Sequence, residues 1–263
     1  MSITESHEEM LNCVALGLAA CLTLHVVSAC IWPFLSPTIF IGLDSEGRVN
    51  WHGRVVGTCF ALYSLCNAII ERLYPSPELR ADPFFGSSAR SCRLIGITHG
   101  FFIWDVAFSC FMTKQELPVR LHALLGLLVG TAVLQPYCHK MITTILLWEA
   151  STPLLNLRAH LHACKMGDTT AYTAVSVVFA LLFLGIRWGV GLLDSALHIR
   201  DSLRSSDDPR LRYWSLVLQV VGLLLMNSFN LLWGSKVLKG LLRAMGILAD
   251  TSHQGSREAS KAR

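Results

Sequence analysis

The chain is poor in charge. Only 15% of its 263 residues are Asp, Glu, Lys or Arg, against roughly 25% in an ordinary soluble domain. Hydrophobic residues make up 52%, and the mean hydropathy is +0.48, which argues against a water-soluble globule. The sequence also lacks any C-x-x-C pair. Its nine cysteines are scattered, mostly within apolar runs, so neither a disulfide framework nor a zinc site is indicated, and they read as small fillers at helix contacts. The N-terminal flank "MSITESHEEM" lacks the positive charge of a cleavable signal peptide, so the first apolar run reads as a retained span. No internal repeat is seen and no resident cofactor or metal is called for. The net charge of +4 lies in loops and the C-terminal tail. That placement fits attraction to anionic lipid headgroups better than nucleic-acid binding.

What is present is a series of apolar runs near the ~20 residues that a helix needs to cross a ~30 Å hydrocarbon core. They lie at about 10–32, 54–73, 94–113, 119–137, 140–157, 171–195 and 212–235, with the limits good to a few residues. The reading is an all-α polytopic membrane protein with about seven transmembrane helices. Six is the alternative count, because the fifth run is short and follows Pro136 closely. Residues 74–91 and 200–212 form polar connections, and the polar tail after about residue 249 reads as disordered. The chain divides into a first span (1–44), a main membrane domain (45–240) and a basic tail (241–263).

The positive-inside rule favours an external N-terminus and an internal C-terminus. Arg48, Arg54, Lys114, Arg120, Arg158, Lys165, Lys236, Lys239, Arg243, Arg257, Lys261 and Arg263 then fall on the cytosolic side, and Arg72, Arg80, Arg90, Arg93, Lys140, Arg200, Arg204, Arg210 and Arg212 on the other.

Four titratable residues fall at membrane depth: Asp105, His122, Glu149 and Asp194. A charge there costs ~2.5–3.5 kcal/mol on the lenient scale and needs a partner, water or a shared proton. Asp105 is about eight residues from its segment end, ~12 Å deep at ~1.5 Å per residue. A short connection at 114–118 makes His122 its antiparallel neighbour, which offers an acid–imidazole pair able to move a proton. Helix packing is the plainer role. His25, His99, His139, His160, His162 and His198 read as packed or interfacial. In "EASTPLLNLR" (149–158), Pro153 has no N–H and would leave the Glu149 carbonyl free, bending the helix. Seven residues separate Glu149 from Asn156, so at ~100° per residue Glu149, Thr152 and Asn156 share a face. That face is a candidate polar lining for an interior cavity. Arg158 falls opposite and is expected to reach the interface or another helix rather than Glu149. Gln219, Asn227 and Asn230 suit interhelical hydrogen bonds, and "GLLVG" (126–130) and "GIRWG" (185–189) suit close helix approach.

In order, "WHGRVVGTCFALYS" (51–64), "ADPFFG" (81–86), "GFFIWDV" (100–106), "RLHALLGLL" (120–128), "WEASTPLLNLR" (148–158) and "FNLLWGSKVLKG" (229–240) resemble the TLC domain family. That family includes TRAM, the ceramide synthases and the neuronal ceroid protein family member eight. The resemblance implies about six helices around a lipid-sized cavity plus an N-terminal helix, in the endoplasmic reticulum or a related endomembrane. Glu149, Thr152, Asn156, Arg158 and Asn230 would be its polar cavity residues and membrane lipids its partners. The synthases of the family acylate sphingoid bases with acyl-CoA through a His-His pair and cavity acids, which would make His122 and Asp105 the catalytic candidates and acyl-CoA a co-substrate. This chain departs from that pattern with Leu121-His122 and shows no downstream paired aspartates. The expectation is therefore a lipid-binding protein acting in lipid homeostasis, sphingolipid or ceramide included, without synthase activity. An N-acyltransferase and a lipid transporter are the alternatives.

Overall fold

The computed structural model describes residues 3–248. The disorder expected for the tail lies outside the described residues. The chain passes from one end of a helical bundle to the other seven times. Five passages are long and apolar enough to span a bilayer unaided: the first (Ile3–Leu35), second (Ser45–Leu73), third (Ala89–Ala107, continued by a π turn Phe108–Met112), sixth (Thr170–Arg204) and seventh (Tyr213–Ala244). The fourth, Leu117–Ala132, has 16 residues, or ~24 Å at ~1.5 Å each. The fifth is broken into His139–Ile145, a 3-10 stretch Leu146–Ser151, and Thr152–Ala163.

Local chemistry sets the limits of these helices. Asp44 accepts the Gly47 amide, Thr169 accepts the Tyr172 amide, and Ser88 with Ser91 forms a reciprocal capping box. Each such cap contributes ~1 kcal/mol. The fourth passage stops at Ala132, well before Pro136, and the turn that follows is tied down by His139. Its Nε2 lies 2.9 Å from the Gln135 carbonyl and its Nδ1 3.0 Å from Ser91 Oγ. Cys138 there takes φ 56°, in the left-handed region, and its amide donates to the Phe84 carbonyl at 2.6 Å.

Six passages form a closed ring in the order second, third, fourth, seventh, sixth, fifth. The first stands outside it against the third. That outer seam is made by glycines: a Cβ on Gly17 would meet Ile97 Cα at 2.8 Å, one on Gly96 the Met10 carbonyl at 2.6 Å, and one on Gly100 the backbone of Val14 and Leu18. The glycines of "GITHG" (96–100) are therefore the small-residue seam that seats the first passage on the third. Of the two patterns singled out in the sequence, Gly126 and Gly130 do serve contacts, against the Phe102 ring and His99. Gly185 and Gly189 face open space. Leu16, Val26, Phe34, Phe111, Leu128, Leu181 and Leu193 lie exposed on the outside, where only hydrocarbon would satisfy them.

The first, third, fifth and seventh passages begin at one end of the bundle and the others at the opposite end. Among the described residues, the second end carries Arg48, Arg54, Lys114, Arg120, Arg158, Lys165, Lys236, Lys239 and Arg243 with only Asp44, Glu46, Glu116 and Asp168 as acids.

Candidate functional site

The ring encloses a slot lined by five of its six members. Its walls are apolar, with Phe102, Ile142, Trp148, Leu223, Met141 and Met226, and its polar groups are His99, His122, Glu149, Arg187, His198 and Gln219. Its volume is about 90 Å³, below the roughly 300 Å³ at which pockets for whole drug-sized ligands begin. Five buried polar atoms in its wall have no protein partner: Thr98 Oγ1, His99 Nδ1, His122 Nδ1, Arg187 Nε and Gln219 Nε2. Buried polar groups are normally satisfied, so a cluster of orphans around one void points to a polar guest.

The sixth passage opens into a π stretch, Leu184–Gly191, and this brings Arg187 into the ring. Wider turns of this kind recur at functional sites because they displace side chains from the regular helical register. Arg187 is buried. It donates from Nη1 to Asn230 Oδ1 at 2.9 Å and lies 5.0 Å from the Phe183 ring centroid. Beside it the Trp188 indole donates to the Asn230 carbonyl at 2.9 Å, its ring filling the space a side chain at Gly234 would need. Glu149 lines the same slot without forming an ion pair with Arg187. His198 Nε2 faces the acceptor Gln219 Oε1 at 3.1 Å, to which it donates when protonated there, and lies 3.3 Å from Ser202 Oγ and 3.7 Å from Cys138 Sγ.

The expected residues are distributed over three places. His122 and Glu149 line the central slot. The His122 ring packs on Trp233 and Phe229 at 5.4 and 6.4 Å, not on Asp105. Asp105 lies ~60° round the third helix from the slot-facing Phe102, three residues at ~100° each. It lines a separate pocket of about 240 Å³ with Arg54, Gln115, Thr152 and Asn156. The shared face expected for Glu149, Thr152 and Asn156 is thus divided. The reason is the 3-10 stretch: at ~120° per residue instead of ~100°, it turns Glu149 out of register with the α-helix that follows. The Glu149 carbonyl is not left free either, since the Thr152 amide donates to it. Pro153 sits in the first turn of a new helix, where its missing N–H removes no intrahelical bond. Asn156 clamps the fifth passage to the second, donating to the Arg54 carbonyl at 3.2 Å and Thr58 Oγ1 at 3.0 Å. Arg158 faces a third pocket and donates to Ser176 Oγ at 3.0 Å. Asp194 accepts from Arg72 at 3.0 Å.

The TLC domain family model matches residues 50–239, the stretch that forms the ring. The chain belongs to that family. An uncharacterized TLC domain-containing protein of Schizosaccharomyces pombe is 25% identical over 246 residues, covering 90% of this chain and 81% of the relative. The topoisomerase I damage affected protein 4 of Saccharomyces cerevisiae is 25% identical over 186 residues, covering 67% and 66%. No solved structure matches the chain. The TLC fold and the five long apolar helices make this a multi-pass integral membrane protein.

Within the TLC ring, sequence reasoning missed Arg187. It stands within "GIRWG", a pattern whose glycines suit close helix approach. An arginine inside "FALLFLGIRWGVGLLD" was itself the signal, since intramembrane cations mark functional positions. His99 and His198, which the sequence pattern assigns to packing or the interface, also line the slot.

Proposed function

We propose that the protein binds a membrane lipid within the TLC ring and acts in lipid homeostasis, through composition or trafficking, in the endoplasmic reticulum or a related endomembrane. The observation that carries this reading is the convergence of five unpartnered buried polar atoms on an otherwise apolar slot inside a bilayer-spanning ring. A lipid with polar atoms near the slot and a hydrocarbon chain along its walls satisfies both surfaces. Since the slot is narrow, entry of a chain requires Met141 and Met226 to repack, and unbranched methionine adapts readily. Glu149 and Arg187 offer opposite charges to a zwitterionic or amide-bearing polar group, the sphingolipid and ceramide class included.

The test is mass spectrometry of lipid that co-purifies with the protein, compared with the detergent-solubilised membrane. Specific enrichment that falls several-fold in Glu149→Leu supports the reading; a lipid profile equal to the bulk membrane in both proteins removes it. Acyl transfer is the second reading and draws on His122 in the slot wall. It receives less support, because Asp105 lines a different pocket from His122. Purified protein supplied with long-chain base and labelled acyl-CoA decides it, since a His122-dependent amide product would replace binding with catalysis.

A further inference from the structure

At the basic end of the bundle a second, larger pocket opens between the fifth, sixth and seventh passages. Its volume is about 460 Å³. Its walls present Arg158, Lys236, the hydroxyls of Tyr172, Thr173 and Ser176, and below them the apolar Val177, Phe179, Ala180, Val237 and Leu241. No acid lines it. Arg158 is held in place without being neutralised. Its Nε donates to Ser176 Oγ at 3.0 Å and its guanidinium carbon lies 5.2 Å from the Tyr172 ring centroid, which leaves its remaining N–H donors for another acceptor. Lys236 forms no ion pair among the described residues. The Ser176 and Thr173 hydroxyls donate to the Tyr172 and Thr169 carbonyls, so two cations and the Tyr172 hydroxyl above an apolar floor remain to match a phosphate ester carried on hydrocarbon: Arg reads its oxygens through a planar fork, and Lys adds a point charge.

We infer that this pocket binds the phosphate of an anionic membrane lipid, with the glycerol and the first part of its chains against Val177, Ala180 and Leu241. The site is distinct from the central slot and its occupancy does not require the slot to hold lipid. Along the seventh helix, Val237 and Leu241 nevertheless follow Asn230 by seven and eleven residues, close to its face at ~100° per residue. The pocket therefore lies beneath the Arg187–Asn230 bond, ~10 Å nearer the bundle end.

The experiment is native mass spectrometry of the full chain in detergent, titrated with phosphatidic acid and, in parallel, with diacylglycerol of the same chains. Phosphatidic acid adducts are expected to exceed diacylglycerol adducts. They should fall about fivefold in Arg158→Gln and in Lys236→Gln, as expected for each basic side chain that meets an anionic headgroup. They should be retained largely in Arg158→Lys and fully in Arg204→Gln at the opposite end. Lys236 is exposed, so its variant keeps the test alive if substitution of Arg158 disturbs folding. Inorganic phosphate and glycerol 3-phosphate are added as competitors. If either displaces the lipid completely, the site serves soluble phosphate and the lipid assignment is overturned. Equal binding of the two lipids, or phosphatidic acid binding indifferent to both glutamine variants, overturns the site itself.

Discussion

The two ends of the bundle carry matching sets of basic side chains and use them differently. At the end where the chain starts, Arg72 pairs with Asp194, Arg90 with Glu71, Arg93 with Glu9, Arg200 with Asp201, and Arg210 with both Asp82 and Asp208. At the other end four arginines rest on neutral acceptors: Arg48 on the Leu43 carbonyl, Arg54 on Asn156, Arg120 on the Gln115 carbonyl and Arg158 on Ser176. Acids are matched to cations at the first end and scarce at the second. The first end is closed by its own charges, and the second offers charge to something outside the protein.

The largest expected effect falls at the closed end. Glu71 is 4% exposed and accepts from the Ser76 amide at 2.6 Å, the Ser76 hydroxyl at 3.0 Å and Arg90 at 3.2 Å. It thereby ties the second passage to the loop that leads into the third. Glu71→Ala leaves a buried amide and hydroxyl without an acceptor and should cost about 2–3 kcal/mol. Arg158→Gln at the open end should cost under ~0.5 kcal/mol, the range of surface changes that leave nothing unsatisfied. Thermal unfolding of both variants in one detergent measures the contrast, and equal losses would erase it.

A second effect is pH-dependent and again confined to the closed end. Burial alone would raise the Asp82 carboxyl, but the Phe85 amide, the Arg210 guanidinium and the Phe84 amide outweigh it and hold it below the ordinary carboxylate range. Arg210 also lies 4.0 Å from the Phe85 ring centroid, so one side chain straps two loops. A carboxyl depressed on folding contributes stability above its unfolded value and loses it as pH falls through the folded one. The melting temperature should therefore drop on acidification through and below the ordinary carboxylate range. That drop should be shallower in Asp82→Asn, which begins less stable at neutral pH. Parallel curves for the two proteins would mean that the strap does not stabilise the fold.

This division was only partly legible in the sequence. Hydropathy located seven passages, because the ~30 Å core imposes a length that composition reports directly. The ordered short motifs pointed to the family that the domain match then established. The site was less accessible for a geometric reason. Reading 149–158 as one α-helix put Glu149 and Asn156 on one face, and six residues of 3-10 turn were enough to send them to different pockets. Arg187 was hidden by a π stretch that no simple period anticipates. Counting basic residues end by end could not say whether each was already paired, which depended on contacts such as Arg210–Asp82, 128 residues apart. Sequence spacing carries no trace of such pairs.

The smallest effect separates general charge at the open end from the pocket. Arg120 sits there outside the pocket, its Nε donating to the Gln115 carbonyl at 2.7 Å. In nanodiscs of phosphatidylcholine, Arg120→Gln should alter stability by less than ~0.5 kcal/mol. In nanodiscs containing phosphatidic acid the variant should lose up to ~1 kcal/mol of lipid-dependent protection, the worth of one basic residue near an anionic surface. Because that attraction is through solvent, 1 M salt, with a Debye length of ~3 Å, should abolish it. Protection lost in Arg158→Gln comes from contact with the phosphate and should persist in part under the same salt. If salt removes both equally, the open end attracts anionic lipid as a surface only and Arg158 has no privileged place in it.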